Sequence, residues 1–229
     1  MPQRFPVRTD FGRTRRYRLV ALIIRGLFRT YFGRRIVITG RENVPESGAL
    51  IVAANHLSML EPLLIGSFFP GTLFAMTKKE LFGNRLVAWF MAGCNMFPVD
   101  RQSADRRALR TAIDILKNRG RLLIFVEGTR ATTPGMRRAE PGVGFLVNHS
   151  DAQVLPVAAW GMDDATSPGR RLPRRVPLHV RFGAPVTITP GASLQETADR
   201  VGEAVAALLP AAYRGVYATD PQVTAATTG

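Results

Sequence analysis

The chain of 229 residues contains one cysteine, three histidines and no hydrophobic run long enough to cross a bilayer. A single cysteine, Cys94, excludes a disulfide within the chain and a metal cluster held by cysteines. The two longest near-apolar stretches, 63–76 and 86–99, have 14 residues each, whereas a spanning helix needs about 20. A secretory signal pattern is also missing, because Arg25 interrupts the apolar segment near the amino terminus. We therefore expect that the chain does not span a membrane.

Acidic residues are scarce, since 17 Asp and Glu stand against 31 Lys and Arg and give a formal net charge of +14. Such a surface attracts nucleic acid, anionic lipid headgroups or phosphorylated substrates, and charge alone does not distinguish them. A basic module that binds nucleic acid remains an alternative, although no nucleic-acid-binding motif is recognisable. Hydrophobic residues make up 46% of the chain, so we expect a normal globular core.

Short apolar runs typical of buried strands alternate with helical patterns along the chain. This order predicts an α/β fold, a single domain with a mostly buried, mixed or parallel sheet flanked by helices. One of the helices has Ser103 as its predicted N-cap and Gly120 as its predicted C-cap. The predicted organisation is an irregular basic amino terminus (1–14), an amphipathic helix (15–32), the main domain (33–215) and a flexible tail (216–229).

The helix at 15–32 carries arginines on one side and apolar residues on the other. On a helical wheel Arg15, Arg18, Arg25 and Arg29 fall within an arc of roughly 80°. The opposite side is formed by Leu19, Val20, Ala21, Ile23, Ile24, Leu27, Phe28 and Tyr31. A wide apolar arc beside a stripe of arginines is typical of a helix that lies at an anionic membrane interface. The alternative is an ordinary helix that packs on the core and leaves an arginine edge in solvent.

The stretch NHLSMLEP, residues 55–62, places a histidine and a carboxylate directly after a buried strand. His56 and Glu61 are five positions apart, and on a continuous helix they would point about 140° away from each other. They can pair only if His56 precedes the helix and Glu61 lies in its first turn. The alternative is a capping box, in which Ser58 is the N-cap and Glu61, at position N3, bonds back to the backbone.

The stretch FVEGTR also closes a buried strand. It gathers Glu127, Thr129 and Arg130 around a glycine, and such a turn can hold a phosphate through backbone N–H groups and a guanidinium. The alternative is a polar turn at the surface. Two weaker signals accompany it: the stretch FPVDR ends on Arg101, and Pro156 interrupts the apolar strand VLPVAAWG.

In their order along the chain these blocks resemble those of the glycerophospholipid acyltransferases, and most closely those of the 1-acylglycerol-3-phosphate acyltransferases. The resemblance runs over residues 37–188. It implies that His56 is the general base for the acceptor hydroxyl and that Glu61 orients and charges its imidazole. The residues that it assigns to the acceptor phosphate are Arg101, Glu127, Gly128, Thr129 and Arg130. The supporting positions are Asn55, Ser58 and Pro156.

The resemblance also implies partners and a location. Acyl-CoA or acyl carrier protein would deliver the acyl group to the hydroxyl of a lysophospholipid in one displacement, with no covalent acyl-enzyme, no metal and no further cofactor. Histidine, with an unperturbed pKa near neutrality, suits this proton transfer. We expect the protein at the cytoplasmic face of the cell membrane, peripheral or monotopic, in contact with an anionic membrane surface. A nucleic-acid partner is not expected.

Three positions differ from the family pattern. Glu61 stands where Asp is usual, Val126 replaces the proline before the third-block glutamate, and Glu140 takes the place of a lysine common after that block. An inactive homologue, or one with another acceptor, therefore remains an alternative. So does a hydrolase that uses Ser58 with His56, although the chain has no GxSxG elbow.

Overall fold

The structure, a computed structural model, describes residues 15–100, 105–130, 135–166 and 172–218. The strands of these ranges are β1 (Ile36–Thr39), β2 (Leu50–Ala54), β3 (Phe74–Lys78), β4 (Met96–Val99), β5 (Arg121–Phe125), β6 (Gln153–Trp160) and β7 (Leu178–Phe182). The helices are α1 (Arg15–Phe32), α2 (Glu61–Phe68), α3 (Arg85–Gly93), α4 (Arg106–Lys117), α5 (Pro141–Asn148), α6 (Met162–Ala165) and α7 (Leu194–Ala206). Short 3-10 turns lie between them at Gly33–Arg35, Arg41–Asn43 and Lys79–Gly83, and near the carboxyl end at Ala211–Tyr213 and Gly215–Tyr217.

The strands form one sheet in the order β1-β7-β6-β2-β5-β3-β4. Each neighbouring pair is parallel except β6 and β7, which are antiparallel. The predicted α/β class with a mixed, largely parallel sheet is confirmed. Parallel strands place their carboxyl ends at one edge of the sheet, where ligands usually bind in open α/β folds.

Strand β2 is central and fully buried, as its uninterrupted apolar sequence predicts. Alternate side chains point to opposite faces of a strand, so β2 contributes to both halves of the core. Ile51 and Ala53 pack in the cluster that includes α4, α5 and α7. Leu50, Val52 and Ala54 pack in the cluster that includes α1 and α2. Burial of one large aliphatic side chain contributes about 1.5–3 kcal/mol, so both faces anchor this strand and the site that follows it.

Helix α4 has caps that differ from the predicted ones. Its N-cap is Asp105, whose carboxylate accepts the N–H groups of Arg107 and Ala108, and the predicted N-cap Ser103 lies outside the described residues. Gly120 is not the C-cap, because Arg119 already takes the left-handed conformation with φ 58°. The Gly120 N–H then donates to the Ile115 carbonyl, and a Cβ there would lie 2.7 Å from that oxygen. Gly120 is therefore required by close packing against the last helical turn.

Helix α1 has the predicted bounds but does not present two clean faces. It packs against α2 and buries the side chains of Tyr17, Phe28 and Phe32. The expectation of a solvated arginine edge is wrong for Arg25, which is half-buried and donates from Nε to the Ser67 carbonyl at 2.6 Å. The exposed large apolar side chains of α1 are Leu19, Leu22, Ile23 and Leu27. None of the helices in the described ranges combines the length and apolar character that crossing a bilayer requires.

Candidate active site

The carboxyl end of β2 is joined to β6 through a side chain. Asn55 is fully buried, and its amide nitrogen donates to the Ala159 carbonyl at 2.7 Å. Its amide oxygen accepts the Ala159 N–H at 2.8 Å. Asn55 thus continues the pairing of β2 with β6 beyond the last strand residue, and this fixes the direction in which the chain leaves the sheet.

His56 follows directly and is held by its own backbone as well as by its ring. Its N–H donates to Glu127 Oε1 at 2.8 Å, and its ring stacks on Phe125 with the centroids 4.0 Å apart. The residue is only 5% exposed. Neighbouring strands β2 and β5 therefore fix the imidazole from two sides. The sequence did not indicate a role for Phe125 at the site, although it is the first residue of the FVEGTR block.

His56 and Glu61 form the pair that the sequence left open. His56 Nδ1 lies 3.0 Å from Glu61 Oε2, and the same oxygen accepts the Leu57 N–H at 2.8 Å. His56 precedes α2, and Glu61 is its first residue. This is the geometry in which residues five positions apart can face each other. The Leu57 hydrogen bond also fixes the carboxylate, so the Nδ1–H of the imidazole has a defined acceptor.

The capping-box alternative is formed only in part, because the Glu61 carboxylate does bond to the Ser58 backbone while the Ser58 hydroxyl bonds elsewhere. Glu61 is the first helical residue rather than the third, and no side chain caps the preceding Leu60. Ser58 Oγ instead accepts the Leu60 N–H at 3.3 Å and lies 3.1 Å from the Thr166 hydroxyl. The buried Ser58 hydroxyl thus joins the His56 loop to the end of α6. These contacts give Ser58 a structural role and do not favour it as a nucleophile.

Burial dominates the electrostatics of Glu61. Removal from water raises the pKa of Glu61 well above its ordinary value, and hydrogen bonds from the Ser58 and Leu57 backbone oppose this effect. The negative charges of Glu127 and Asp163 act in the same direction as burial. Among the described residues no group hydrogen-bonds to Glu61 Oε1, which is also buried. A carboxylate so poorly solvated gains most from a neighbouring positive charge, and here that charge can form on the His56 ring.

Glu127 occupies a different position from the one expected of a phosphate contact. It is fully buried, and Oε1 accepts from His56 while Oε2 accepts the Arg137 N–H at 2.9 Å. Burial raises the pKa of Glu127, and the Arg137 and His56 amides oppose this effect. The carboxylate therefore bridges two loops through their backbones. Its assigned role in acceptor binding stays a prediction.

The turn after Glu127 exposes three of the predicted residues, Gly128, Thr129 and Arg130. Gly128 has φ 66°, and a Cβ there would lie 2.9 Å from Glu140 Cγ, so glycine is required. The N–H groups of Gly128 and Thr129 donate within the turn, to the Phe125 and Glu127 carbonyls. The expected phosphate cradle of backbone amides is therefore not formed by these two. The Thr129 hydroxyl and the Arg130 guanidinium remain as candidate phosphate donors.

The other two predicted positions have different outcomes. Arg101 lies outside the described residues. Pro156 lies in β6 between the Val154–Val186 bridge and the start of pairing with β7, where its missing N–H costs little. Its carbonyl accepts the Gly183 N–H at 2.9 Å. Pro156 therefore shapes the strand next to β2 and touches the site only through it.

A cavity of about 730 Å³ opens at the carboxyl ends of β3, β4 and β5 and reaches Phe125, on which the His56 ring stacks. Phe125, Glu127, Gly128 and Thr129 line the side nearest His56. The remaining wall is mostly apolar and includes Met76, Val99, Leu109 and Phe145. A base with a carboxylate partner next to an apolar cavity is suited to proton transfer on a substrate that carries a hydrocarbon chain.

Known proteins similar in sequence to this chain are acyltransferases. The chain matches the family model described as Acyltransferase over residues 35–160, more than half of its length. The 1-acyl-sn-glycerol-3-phosphate acyltransferase of Bacillus subtilis is 26% identical over 152 residues, which are 66% of this chain and 73% of that protein. The enzyme of the same name from Pseudomonas aeruginosa is 30% identical over 135 residues, 58% of this chain and 52% of the relative. The chain thus spans only about half of this second relative.

The fold has a solved counterpart as well. The crystal structure of the 1-acyl-sn-glycerophosphate acyltransferase PlsC from Thermotoga maritima is similar with a TM-score of 0.71 and 28% sequence identity. The similarity covers 86% of this chain and 82% of that one. The resemblance inferred from the four ordered sequence blocks is confirmed, and the chain belongs to the acyltransferase family.

Proposed function

We propose that this protein transfers a fatty acyl group from a thioester donor to the free hydroxyl of a 1-acylglycerol-3-phosphate. The observation that carries the proposal is the buried His56–Glu61 pair beside an apolar cavity. The names of the relatives supply the substrate class. Acyl-CoA and acyl carrier protein are both possible donors, because each presents the same thioester to the site.

The proposed reaction is a single displacement. His56 Nε2 takes the proton of the acceptor hydroxyl while that oxygen attacks the thioester carbonyl. The tetrahedral intermediate collapses, the C–S bond breaks, and the proton passes from Nε2 to the leaving thiolate. Glu61 accepts the Nδ1–H, which makes Nε2 the basic nitrogen of the ring and stabilises the imidazolium that forms. No side chain of the protein becomes acylated in this scheme.

Acceptor binding would use the exposed turn after β5. Thr129 lines the cavity there and the exposed Arg130 follows it in the chain, and guanidinium groups bind phosphate in a bidentate manner. Arg101 is expected to assist, as the resemblance implies. The acceptor's acyl chain would then extend along the apolar wall, which leaves its free hydroxyl near His56.

The proposed location is the surface of the cytoplasmic membrane. Leu19, Ile23 and Leu27 lie one helical turn apart on α1, and each is more than half exposed. On α3, Trp89 is 62% exposed and the Arg16 guanidinium stacks on its ring. Exposed aliphatic side chains with an aromatic residue and arginines beside them are typical of a membrane-interface surface.

The decisive experiment on activity measures thiol release from palmitoyl-CoA, with and without lysophosphatidate. We expect acceptor-dependent release by the wild type and a loss of about a thousandfold in His56→Ala, the range of general-base catalysis. His149→Ala is the matched control, because His149 is exposed and distant in sequence from the pair. Acceptor-dependent release that survives in a folded His56→Ala protein would contradict the mechanism.

The membrane surface is tested separately by sedimentation with anionic vesicles. Deleting α1 would expose core contacts of Tyr17, Phe28 and Phe32, so point variants are the better choice. Ile23→Gln combined with Leu27→Gln should weaken vesicle binding at least about tenfold, since each side chain contributes about 1.5–3 kcal/mol when buried. Leu172→Gln with Val216→Gln, also exposed, is the control. Equal sedimentation of both double variants would count against α1 as the contact surface.

A further inference from the structure

A second cavity, of about 680 Å³, opens at the amino ends of β3 and β5, and we call it the basic cavity. Its wall contains five arginines and one carboxylate: Arg18, Arg25, Arg41, Arg119, Arg121 and Glu46. They come from α1, from the turn after β1, from the end of α4 and from the start of β5. In the sequence the arginines of α1 form only an edge of that helix, and no pattern places the other three beside them.

The two cavities are at opposite ends of the sheet. Strand β5 begins at Arg121, in the wall of the basic cavity, and ends at Phe125, which stacks on the His56 ring. Four residue steps of a strand span about 13 Å. A phosphate bound among these arginines would therefore be separated from the reacting atoms by the length of a strand, and it would not be the acceptor phosphate of the proposed reaction.

Two of the arginines repel each other across the basic cavity. The pKa of the Arg25 guanidinium is lowered, first by burial and next by the positive charge of Arg41. Arg25 is held in this position because its Nε donates to the Ser67 carbonyl. A fold that keeps guanidinium groups close enough to disturb each other carries unfavourable electrostatic energy, and a bound anion would remove it.

Arg121 forms a rigid part of the same wall. Its two terminal nitrogens donate to the Pro70 carbonyl at 3.0 Å and to the Pro45 carbonyl at 2.6 Å. Its guanidinium also lies over the Phe69 ring. These partners orient the group without neutralising it, because carbonyls and a phenyl ring carry no net charge. The positive charge of Arg121 therefore remains available to a ligand.

The single carboxylate does not compensate the cluster. Within the described part of the chain, Glu46 forms no ion pair with any of the five arginines. Arg18, Arg41 and Arg119 are exposed, so their guanidinium groups can turn toward a ligand. Several arginines around a concave space form the arrangement that binds phosphate through charge-assisted hydrogen bonds.

We propose that the basic cavity is a second anion site, which binds a phosphate group carried by an anionic phospholipid headgroup or by a soluble phosphorylated molecule. Leu22 of α1 also lines the cavity and is 63% exposed, so a lipid could place its phosphate among the arginines and its glycerol end toward this side chain. The proposal does not rest on the acyltransferase reaction, since it uses none of the residues of the His56 site.

The test compares two charge-matched double variants by isothermal titration. Arg41→Gln with Arg119→Gln removes two cations of the basic cavity, and Arg106→Gln with Arg110→Gln removes two exposed cations of α4. The probes are inorganic phosphate and monomeric dihexanoyl phosphatidylglycerol. We expect the cavity variant to lose affinity by roughly tenfold for each arginine, the usual effect of a hydrogen bond to a charged group. The α4 variant should bind both probes like the wild type.

The two probes separate the sources of the phosphate. Loss of affinity for both probes in the cavity variant shows that the phosphate group alone is sufficient, as for a soluble ligand. Loss for the lipid alone, with inorganic phosphate bound by no form of the protein, assigns the site to a headgroup. Binding of neither probe by the wild type, or equal affinity in the two double variants, overturns the proposal. Thermal melting of each variant checks that the fold is intact, and Arg18→Gln serves as a second cavity variant.

Discussion

The two ends of the sheet handle charge in opposite ways. At the carboxyl end the important groups are acids, Glu61 and Glu127, both fully buried and both bonded to backbone N–H groups. At the amino end they are arginines, mostly exposed or half-buried and poorly compensated by acids. The carboxyl end therefore holds its buried acids in fixed positions and exposes Arg130 on the turn after β5, whereas the amino end leaves several arginines accessible.

This difference follows from what each end has to do. General-base catalysis needs one imidazole in one orientation and one tautomer, which buried carboxylates with fixed hydrogen bonds can enforce. Binding an anion needs uncompensated positive charge within reach of the ligand. Burial that improves the first function would impair the second. Removing charge at either end tests this difference, and the expected effects on activity, stability and anion binding differ in size.

The largest effect within this comparison is expected for Glu61→Gln. Glutamine keeps the size of the side chain but cannot stabilise an imidazolium, so turnover should fall by about a hundredfold or more. Because burial raises the pKa of Glu61, the wild-type rate should already decline as the pH falls through a range above that of an ordinary glutamate. The measurement is the pH profile of thiol release.

The stability of Glu61→Gln should not fall together with its activity. A carboxyl whose folded pKa is raised binds its proton more tightly in the folded state, so the wild type loses stability as the pH rises from the ordinary value through the raised one. At neutral pH, Glu61→Gln should therefore melt at the same temperature as the wild type or higher. Glu61→Asp, which restores the usual family residue, is the matched control. A variant that loses both activity and stability would indicate a structural role only.

A smaller effect is expected for Glu127→Gln. The amide nitrogen of glutamine would face a backbone N–H, either that of His56 or that of Arg137, and leave it unpaired at a cost of about 1–3 kcal/mol. We expect kcat to fall by about tenfold, with an unchanged KM for a soluble acceptor, because the variant displaces the base and not the phosphate. Glu203→Gln, at an exposed glutamate of α7, is the control. A rise in KM alone would support the acceptor-binding role that the resemblance implies.

The sequence predicted what depends on local pattern. Buried strands such as β2 are continuous apolar runs, so their existence and the parallel sheet followed from composition and order. The spacing of His56 and Glu61 gave the condition under which they could face each other, but it did not decide between that pairing and a cap. The contact of the Ser58 hydroxyl with that of Thr166 did not follow from the sequence, because Thr166 lies 108 positions away in the chain.

The features that escaped prediction depend on long-range contacts. The bridge from Glu127 to the His56 and Arg137 backbones joins three loops, and the side chain alone suggested a role in ligand binding. The basic cavity is assembled from four separate segments whose arginines look, one at a time, like ordinary solvated surface. Neither arrangement has a sequence period or a spacing that could reveal it.

The smallest expected effect concerns the backbone of the basic cavity. Arg119 has φ 58°, a left-handed conformation that glycine adopts without strain, so Arg119→Gly should raise the free energy of unfolding by about 0.5–1 kcal/mol. The same change removes a guanidinium from the cavity wall and should weaken the binding of dihexanoyl phosphatidylglycerol or inorganic phosphate. Urea unfolding and titration on one preparation measure both quantities.

Asn95 supplies the control for this variant, because it also has a positive φ, 54°, and does not line the basic cavity. Asn95→Gly should stabilise the fold less, since asparagine tolerates this conformation, and should leave anion binding unchanged. If Arg119→Gly gains stability and loses binding, the amino end carries a strained arginine whose charge serves a ligand. Gained stability with unchanged binding would mean that Arg119 is only a helix terminus, and the contrast between the two ends would then rest on the other four arginines.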